Sequence, residues 1–392
     1  MRILTVLTYY RPHTSGLTIY AERLAKALAA RGHQLTVLTS QFEPGLPLEE
    51  QSDGLRIRRV PVALRVSKGV IMPSFGRIAS EEIRKHDVLL LHLPQFDAAG
   101  LALRGRLWKK PTVFIYHSDL TLPPGLFNWL VGAVVGLMNS LAGLFTHKIS
   151  SYTQDFASHS PLLRRFARKV RIIPPAVELP AAQPAKVAAM AAAHNPQGKR
   201  PVIAMATRLA AEKGVELLLD ALPAVFAKYP EAMVWFAGQH TDVLGEEAYW
   251  QSLRPRIEAL QRAGRWTFLG TLSLPEMAAF YPNIDLLVVP STNSTETFGF
   301  VQVEAMMNGK PVVASNLPGV RQPVRLTGMG RVSPVGDAAA LAENMLAVLD
   351  GRQPSAAQGA QLRVEFSPAA CAERHEALFS EIYQELHGKE LL

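Results

Sequence analysis

The feature that most constrains this chain is an alternation of short apolar runs with helical stretches, which breaks once and then restarts. Arg2–Thr8 reads as a buried strand, and residues 19–31 as an amphipathic helix with Leu24, Ala27 and Leu28 on one side and Glu22, Arg23, Lys26 and Arg31 on the other. Gly32 stops it. Residues 34–39, 88–92 and 111–116 read as further strands. The break falls at Pro174-Pro175 and Pro180–Pro184. After a short Ala- and Lys-rich stretch (185–200) that could be helical, strands are predicted at 202–206, 232–237, 284–289 and 311–314, with a helix at 215–228. Such a β-α-β rhythm calls for parallel, doubly wound sheets. The expected fold class is therefore α/β, with two Rossmann-like domains facing across a cleft. Residues 1–180 form the N-terminal domain and 181–367 the C-terminal one. Residues 368–392 look helical; their composition does not say where they pack, and we assign them to the N-terminal domain. Ligands in open α/β sheets bind at the carboxyl ends of strands, so the cleft is the expected site.

A chain of 392 residues exceeds what one core usually supports, in keeping with two domains. Its 48% apolar and 19% charged residues place it among globular proteins. The single cysteine, Cys371, excludes an internal disulfide framework and argues against a Cys-based metal site; it fits a reducing cytoplasm. The opening ten residues are read as a strand rather than a signal peptide, since the apolar run is short and no small-residue cleavage site follows. The net charge of +8 is uneven: residues 1–180 hold 23 Lys/Arg against 12 Asp/Glu, the remainder 18 against 21. A polyanionic partner for the basic half is one explanation, a solvated basic surface the other.

Residues 284–315 carry the strongest chemical pattern. A strand ends at Pro290, a polar loop Ser291–Thr295 follows, then Glu296-Thr297-Phe298-Gly299 and a helix from about Phe300 to Asn308, ended by Gly309. Gly299 lets a ligand approach the backbone, and free N–H groups at a helix start suit a diphosphate. Glu296 and Glu304 would sit at different depths of one pocket, as acceptors for sugar or ribose hydroxyls. On spacing alone, Glu296 could equally do no more than bias a helix N-terminus, with Glu304 an exposed helix residue.

The pattern Glu296, seven residues, Glu304, with Phe-Gly between, Glu-Ala-Met after, and then Gly309-Lys-Pro-Val-Val-Ala-Ser315 and Gly319, resembles the retaining GT-B glycosyltransferases of family 4. The resemblance extends over nearly the whole chain. It implies that Glu304 holds the ribose of the donor nucleotide and that Glu296 lies near the anomeric carbon and the sugar hydroxyls. The sugar and diphosphate would meet Thr297, Phe298, Gly299, Phe300 and Val301, the last at the diphosphate. Phe300 stands where many relatives carry a smaller aliphatic residue, which would reshape the sugar end. Arg208 and Lys213 lie on a strand-to-helix loop; alone they would be two solvated cations, but a diphosphate leaving group needs such neutralisation if no metal is present. By resemblance they hold the donor diphosphate. Gly16, in the first loop, is similar to the glycine near the donor phosphates, although Ser15-Gly16 replaces a common glycine pair. His117 matches the histidine that contacts the donor sugar and is counted with Glu296 as catalytic. Asp119 and His13 are assigned to the acceptor side. Gly270, Thr271 and Leu272 resemble the loop on the nucleobase, where backbone recognition leaves uracil and guanine unseparated. No metal and no cofactor is expected.

Residues 120–147 contain no Asp, Glu, Lys or Arg, and 126–145 are long enough to cross a bilayer, with Gly132 and Gly136 in a small-xxx-small pattern. Lying between two strands, the segment is read as a core-packed helix with one apolar face exposed, where Phe127, Trp129 and Leu130 could enter a lipid surface. Basic clusters at Arg56, Arg58, Arg59, Arg65 and Lys68, at Arg104, Arg106, Lys109 and Lys110, and at Arg164, Arg165, Arg168, Lys169 and Arg171 could assist. No nucleic-acid reader motif accompanies them. The expected function is metal-independent, retaining transfer of a hexose from a UDP- or GDP-sugar to a lipid-linked or membrane-proximal acceptor. The expected location is the cytoplasm, with possible peripheral contact at the inner membrane face. A non-catalytic nucleotide-binding membrane module and a UDP-sugar epimerase of GT-B fold are the alternatives.

Overall fold

The computed structural model describes residues 1–66, 69–120, 125–243, 245–351 and 356–388. It divides into two compact units, Met1–Ala176 with Phe366–Leu392, and Val177–Glu365.

The first unit is built on an eight-stranded sheet: β1 (Arg2–Val6), β2 (Gln34–Gln41), β3 (Glu49–Ser52), β4 (Leu55–Pro61), β7 (Val88–Leu93), β8 (Thr112–Tyr116), β9 (Lys148–Ser151) and β10 (Val170–Ile172). β5 (Leu64–Val66) and β6 (Gly69–Ile71) form a separate hairpin. The order is β10-β9-β8-β7-β1-β2-β4-β3, and only β3 runs antiparallel to its neighbour. Every residue of β7 and β8 is buried, as expected for parallel strands covered on both faces. The chain winds outward from β1 through β2 and β4, then returns to β7 and winds the other way, so the topological switch lies between β1 and β7. β1 ends at Val6, two residues short of the predicted strand, although the Leu7 N–H still donates to Leu38 O and Thr8 O still accepts the Ser40 N–H. The first helix starts earlier than its apolar periodicity indicated, at Gly16 (Gly16–Ala30), because the Ser15 hydroxyl accepts the Thr18 N–H and caps it. Gly16 is thus a first-turn helical residue rather than a loop residue.

The C-terminal helix Pro368–His387 belongs to this unit. Glu376 pairs with Arg31 and His33, and Lys148 reaches Glu381 at 2.7 Å and Glu385 at 2.9 Å. Cys371 is buried beside the Tyr20 hydroxyl, and burial pushes its thiol up to about 11. The last four residues of the predicted 368–392 segment lie outside the described residues.

The second unit holds a fully parallel six-stranded sheet of β11 (Val202–Ala206), β12 (Met233–Ala237), β13 (Trp266–Gly270), β14 (Leu286–Val289), β15 (Val312–Ser315) and β16 (Gly330–Ser333), ordered β13-β12-β11-β14-β15-β16. The chain runs from β11 outward through β12 to β13, crosses back to β14, and continues to β16. Its switch point therefore lies between β11 and β14. The helix after β14 covers Phe300–Met306, shorter than predicted, since Gly309 at φ +68° and the Lys310 N–H bonding Ala305 O close a turn there.

Candidate functional site

Two loops meet at the switch point of the second unit. One follows β11 and carries Arg208 and Lys213; the other follows β14 and carries Glu296–Val301. The Thr292 N–H donates to Glu212 O at 3.0 Å, tying them together. Gly214, at φ +66°, sits so close to the second loop that an added Cβ would lie 2.2 Å from Pro290 O. Only glycine permits both that conformation and that approach.

Glu296 is the centre of the arrangement. Its Oε2 accepts the Lys213 ammonium at 2.8 Å, and its Oε1 accepts the Gly299 N–H at 3.0 Å. Both side chains are mostly covered, at 23% and 16% exposed, so solvent screens the pair less than at an open surface. Gly299 begins the helix in a left-handed conformation, φ +75°. Arg208 ion-pairs with Glu212, one turn along the same loop. Burial pushes the Glu212 carboxyl up, but a backbone N–H and the charges of Arg208 and Lys213 outweigh it and hold it below the usual range.

Glu304 lies one turn inside the helix and is buried, which removes the possibility that it is an exposed helix residue. Its Oε2 accepts the Tyr281 hydroxyl at 2.8 Å. Phe298 is buried and its ring lies 5.9 Å from that of Phe300. Gln302, fully buried, donates from Nε2 to Phe298 O and Val320 O, fixing the Phe298–Gly299 turn against the chain before helix Gln322–Thr327. Gly270 ends β13, and Thr271 and Leu272 follow it on the same carboxyl edge, next to the helix Leu274–Asn283 that supplies Tyr281. Gly238 stitches this edge: its N–H donates to Gly270 O at 2.7 Å, and at φ +138° an added Cβ would fall 1.9 Å from Thr207 O. Gly238→Ala is expected to cost about 3 kcal/mol of stability through backbone strain and overpacking. A fall in the urea midpoint for the unit checks this; an unchanged midpoint would show that the strand edge yields freely.

In the first unit the candidates are differently disposed. His117, just past β8, is buried with both ring nitrogens engaged. Nε2 bonds His92 Nδ1 at 2.9 Å, Nδ1 bonds the Tyr152 hydroxyl, and His92 Nε2 bonds Thr5 Oγ1 at 2.9 Å. Burial, aided by the neighbouring histidine, holds His117 well below the usual range; burial and then His375 push His92 down to about 3. Both rings are therefore neutral at physiological pH. The His117 ring belongs to a buried hydrogen-bonded chain, because β1, β7 and β8 bring Thr5, His92 and His117 into line. Asp119 accepts the Tyr116 and Ser160 hydroxyls at 2.9 and 2.7 Å. His13 stacks on Tyr9, with Phe42 edge-on. Among these partners, Tyr281, Gln302, Glu212, His92 and Tyr152 were not singled out from sequence. Only Gln302 offered a local signal, a polar residue within an apolar helix.

Several cations of the predicted basic clusters are engaged inside this unit. Arg56 and Arg58 close on the buried Glu82, Arg59 pairs with Glu50 at 2.7 Å, and Arg65 donates to Phe42 O. Arg104 folds back on Ser80 and Gly100 O, and Arg171 pairs with Glu381. The first predicted basic cluster is thus not an open patch; its Lys68 lies outside the described residues. Arg65, Arg106, Lys109, Arg164, Arg165 and Arg168 remain exposed.

Two doubly wound α/β units, one with paired carboxylates and cations at its switch point, define a glycosyltransferase of the GT-B class. Comparison with known proteins agrees. The signature described as Glycosyltransferase Family 4 matches residues 14–180, and that described as Glycosyl transferases group 1 matches residues 187–365. A phosphatidyl-myo-inositol mannosyltransferase of Mycobacterium tuberculosis is 28% identical over 388 residues, covering 94% of each chain. Among solved structures, Anabaena Alr3699/HepE in complex with UDP superimposes with a TM-score of 0.76 at 19% identity, over 97% of this chain and 100% of that one. Sucrose-phosphate synthase from Thermosynechococcus elongatus gives 0.75 at 19% identity, over 98% and 99%. The chain belongs to the family 4, group 1 glycosyltransferases.

Proposed function

We propose that the protein transfers a hexose from a UDP- or GDP-sugar to a hydroxyl of a membrane lipid or lipid-linked acceptor, with retention at the anomeric carbon and without a metal. The observation that carries this reading is the Lys213–Glu296 pair at the switch point, with Glu304 buried one turn further on. A diphosphate settling on Arg208 and Lys213 would have its charge neutralised by side chains. Glu296, held from behind by Lys213 and the Gly299 N–H, would face the positive charge that develops as the sugar leaves. The departing diphosphate would then take the acceptor proton while the acceptor attacks from the same face. The mycobacterial relative's name, with its lipid acceptor, supports a lipid here, and the UDP and UDP-glucose complexes of the Anabaena protein support a nucleotide-sugar donor. We place the protein in the cytoplasm, at the inner face of the membrane.

The test is thermal unfolding with nucleoside diphosphates and their sugar conjugates. A ligand at about a hundred times its Kd adds about 2.7 kcal/mol, which should raise the Tm by about 5 °C. The expected result is a shift with UDP or GDP and their hexose conjugates. No shift with any of them would remove the donor site.

A further inference from the structure

We propose that the helix Leu126–Phe145 is an interfacial membrane helix that docks the first unit on an anionic bilayer surface. The proposal deepens the lipid-acceptor reading and rests on it for its purpose, but the docking can be measured without catalysis.

At 3.6 residues per turn, Leu126, Phe127, Trp129, Leu130, Val134 and Leu137 fall on one half of the helix, and all are exposed. Leu126 is 83% and Trp129 69% exposed, values far from those of a core helix. The opposite half carries Asn139, Ala142 and Gly143, which are buried against the unit. The helix is also longer than its support. Twenty residues span about 30 Å, against about 17 Å for a five-residue strand such as β8. Its end is fixed at the amino edge of the sheet, where Thr146 Oγ1 donates to Thr112 O at 2.9 Å. The carboxyl end of β7 lies level with Asn139, whose side chain accepts the Gln95 N–H at 3.4 Å. Residues 126–138 therefore run on past the carboxyl edge of the sheet.

The rim names the occupant. Phe166 lies so close to Gly143 that an added Cβ would fall 2.4 Å from its ring, and the Lys169 ammonium caps the carbonyls of Gly143, Leu144 and Thr146. Arg164 and Arg165 just before Phe166, and Arg168 just after it, thus lie near the carboxyl-terminal end of the helix, all exposed and none ion-paired with a described residue. A charge-free apolar face tipped with Trp and Phe at one end of the helix, with exposed arginines at the other, matches the acyl boundary and anionic headgroups of a bilayer. The helix lies along the membrane rather than across it, because both its ends lead into strands of one sheet and its carboxyl-terminal part is packed through Asn139, Ala142 and Gly143.

The experiment is co-sedimentation of the full chain with vesicles of phosphatidylcholine alone or with roughly one third phosphatidylglycerol. The wild type should partition onto the anionic vesicles, less so at high salt. Phe127→Ser/Trp129→Ser/Leu130→Ser and, separately, Arg164→Glu/Arg165→Glu/Arg168→Glu should each reduce partition at least tenfold. Both should keep the wild-type Tm and the nucleotide-induced shift, which separates loss of docking from loss of the donor site. Equal partition of the serine variant, or a wild type that stays in solution with both vesicles, overturns the proposal. So does a lipid-free dimer that the serine variant dissolves into monomers, which would make the face a contact between two copies.

Discussion

Glu296→Gln is expected to lower the rate of sugar transfer by about 10²–10³-fold, the usual cost of one preorganised electrostatic contact at a reacting centre. Glutamine keeps the length and shape of the side chain. Its carbonyl oxygen can still accept the Gly299 N–H that Glu296 Oε1 accepts at 3.0 Å, so the helix start is retained. What disappears is the negative charge, and with it the partner of Lys213. If Glu296 acted only as a helix cap, the glutamine variant would turn over close to wild type, within about threefold. If the charge matters for chemistry, turnover collapses while UDP or GDP still shifts the Tm. Lys213→Met supplies the complement. It should weaken binding of the nucleoside diphosphate itself, because Lys213 is assigned to the leaving group as well as to Glu296. Steady-state kinetics on the two variants, with nucleotide binding measured separately, read these effects apart.

The elements of the site were legible because their signals are local. A strand, a polar loop, Phe298-Gly299 and an apolar helix occupy consecutive residues, and β14 and the helix Phe300–Met306 form nearly where those signals place them. The same holds for β11, the Arg208–Lys213 loop and the helix Val215–Lys228. Partnerships were not legible, since they depend on which strands become neighbours. Nothing near Glu304 points to Tyr281, 23 residues earlier, yet their contact at 2.8 Å decides how that carboxylate is held. His117 reads as a histidine at a strand end, and only the adjacency of β1, β7 and β8 shows that its ring is spent on His92 and Tyr152. The basic clusters teach the same: Arg56 and Arg58 count as charges in the sequence, and only the fold shows that they enclose Glu82.

Glu304 and Tyr281 give the second large effect, on nucleotide recognition. A buried carboxylate with one oxygen bonded to a tyrosine hydroxyl is held in place rather than left to swing. If Glu304 accepts the ribose hydroxyls, a hydrogen bond to a charged group is at stake, worth about 1.5–3 kcal/mol, or about 10–100-fold in Kd. The wild type should accordingly bind a nucleoside diphosphate lacking both ribose hydroxyls that much more weakly than the parent. Glu304→Leu should bind both forms with the same weakened affinity, so that the two losses do not add. Tyr281→Phe should lie between, since it leaves the carboxylate in place but unrestrained. A Glu304→Leu variant that still discriminates against the dideoxy nucleotide would mean that the ribose is read elsewhere. The buried carboxylate would then serve only to fix the helix Leu274–Asn283 against the helix that follows β14.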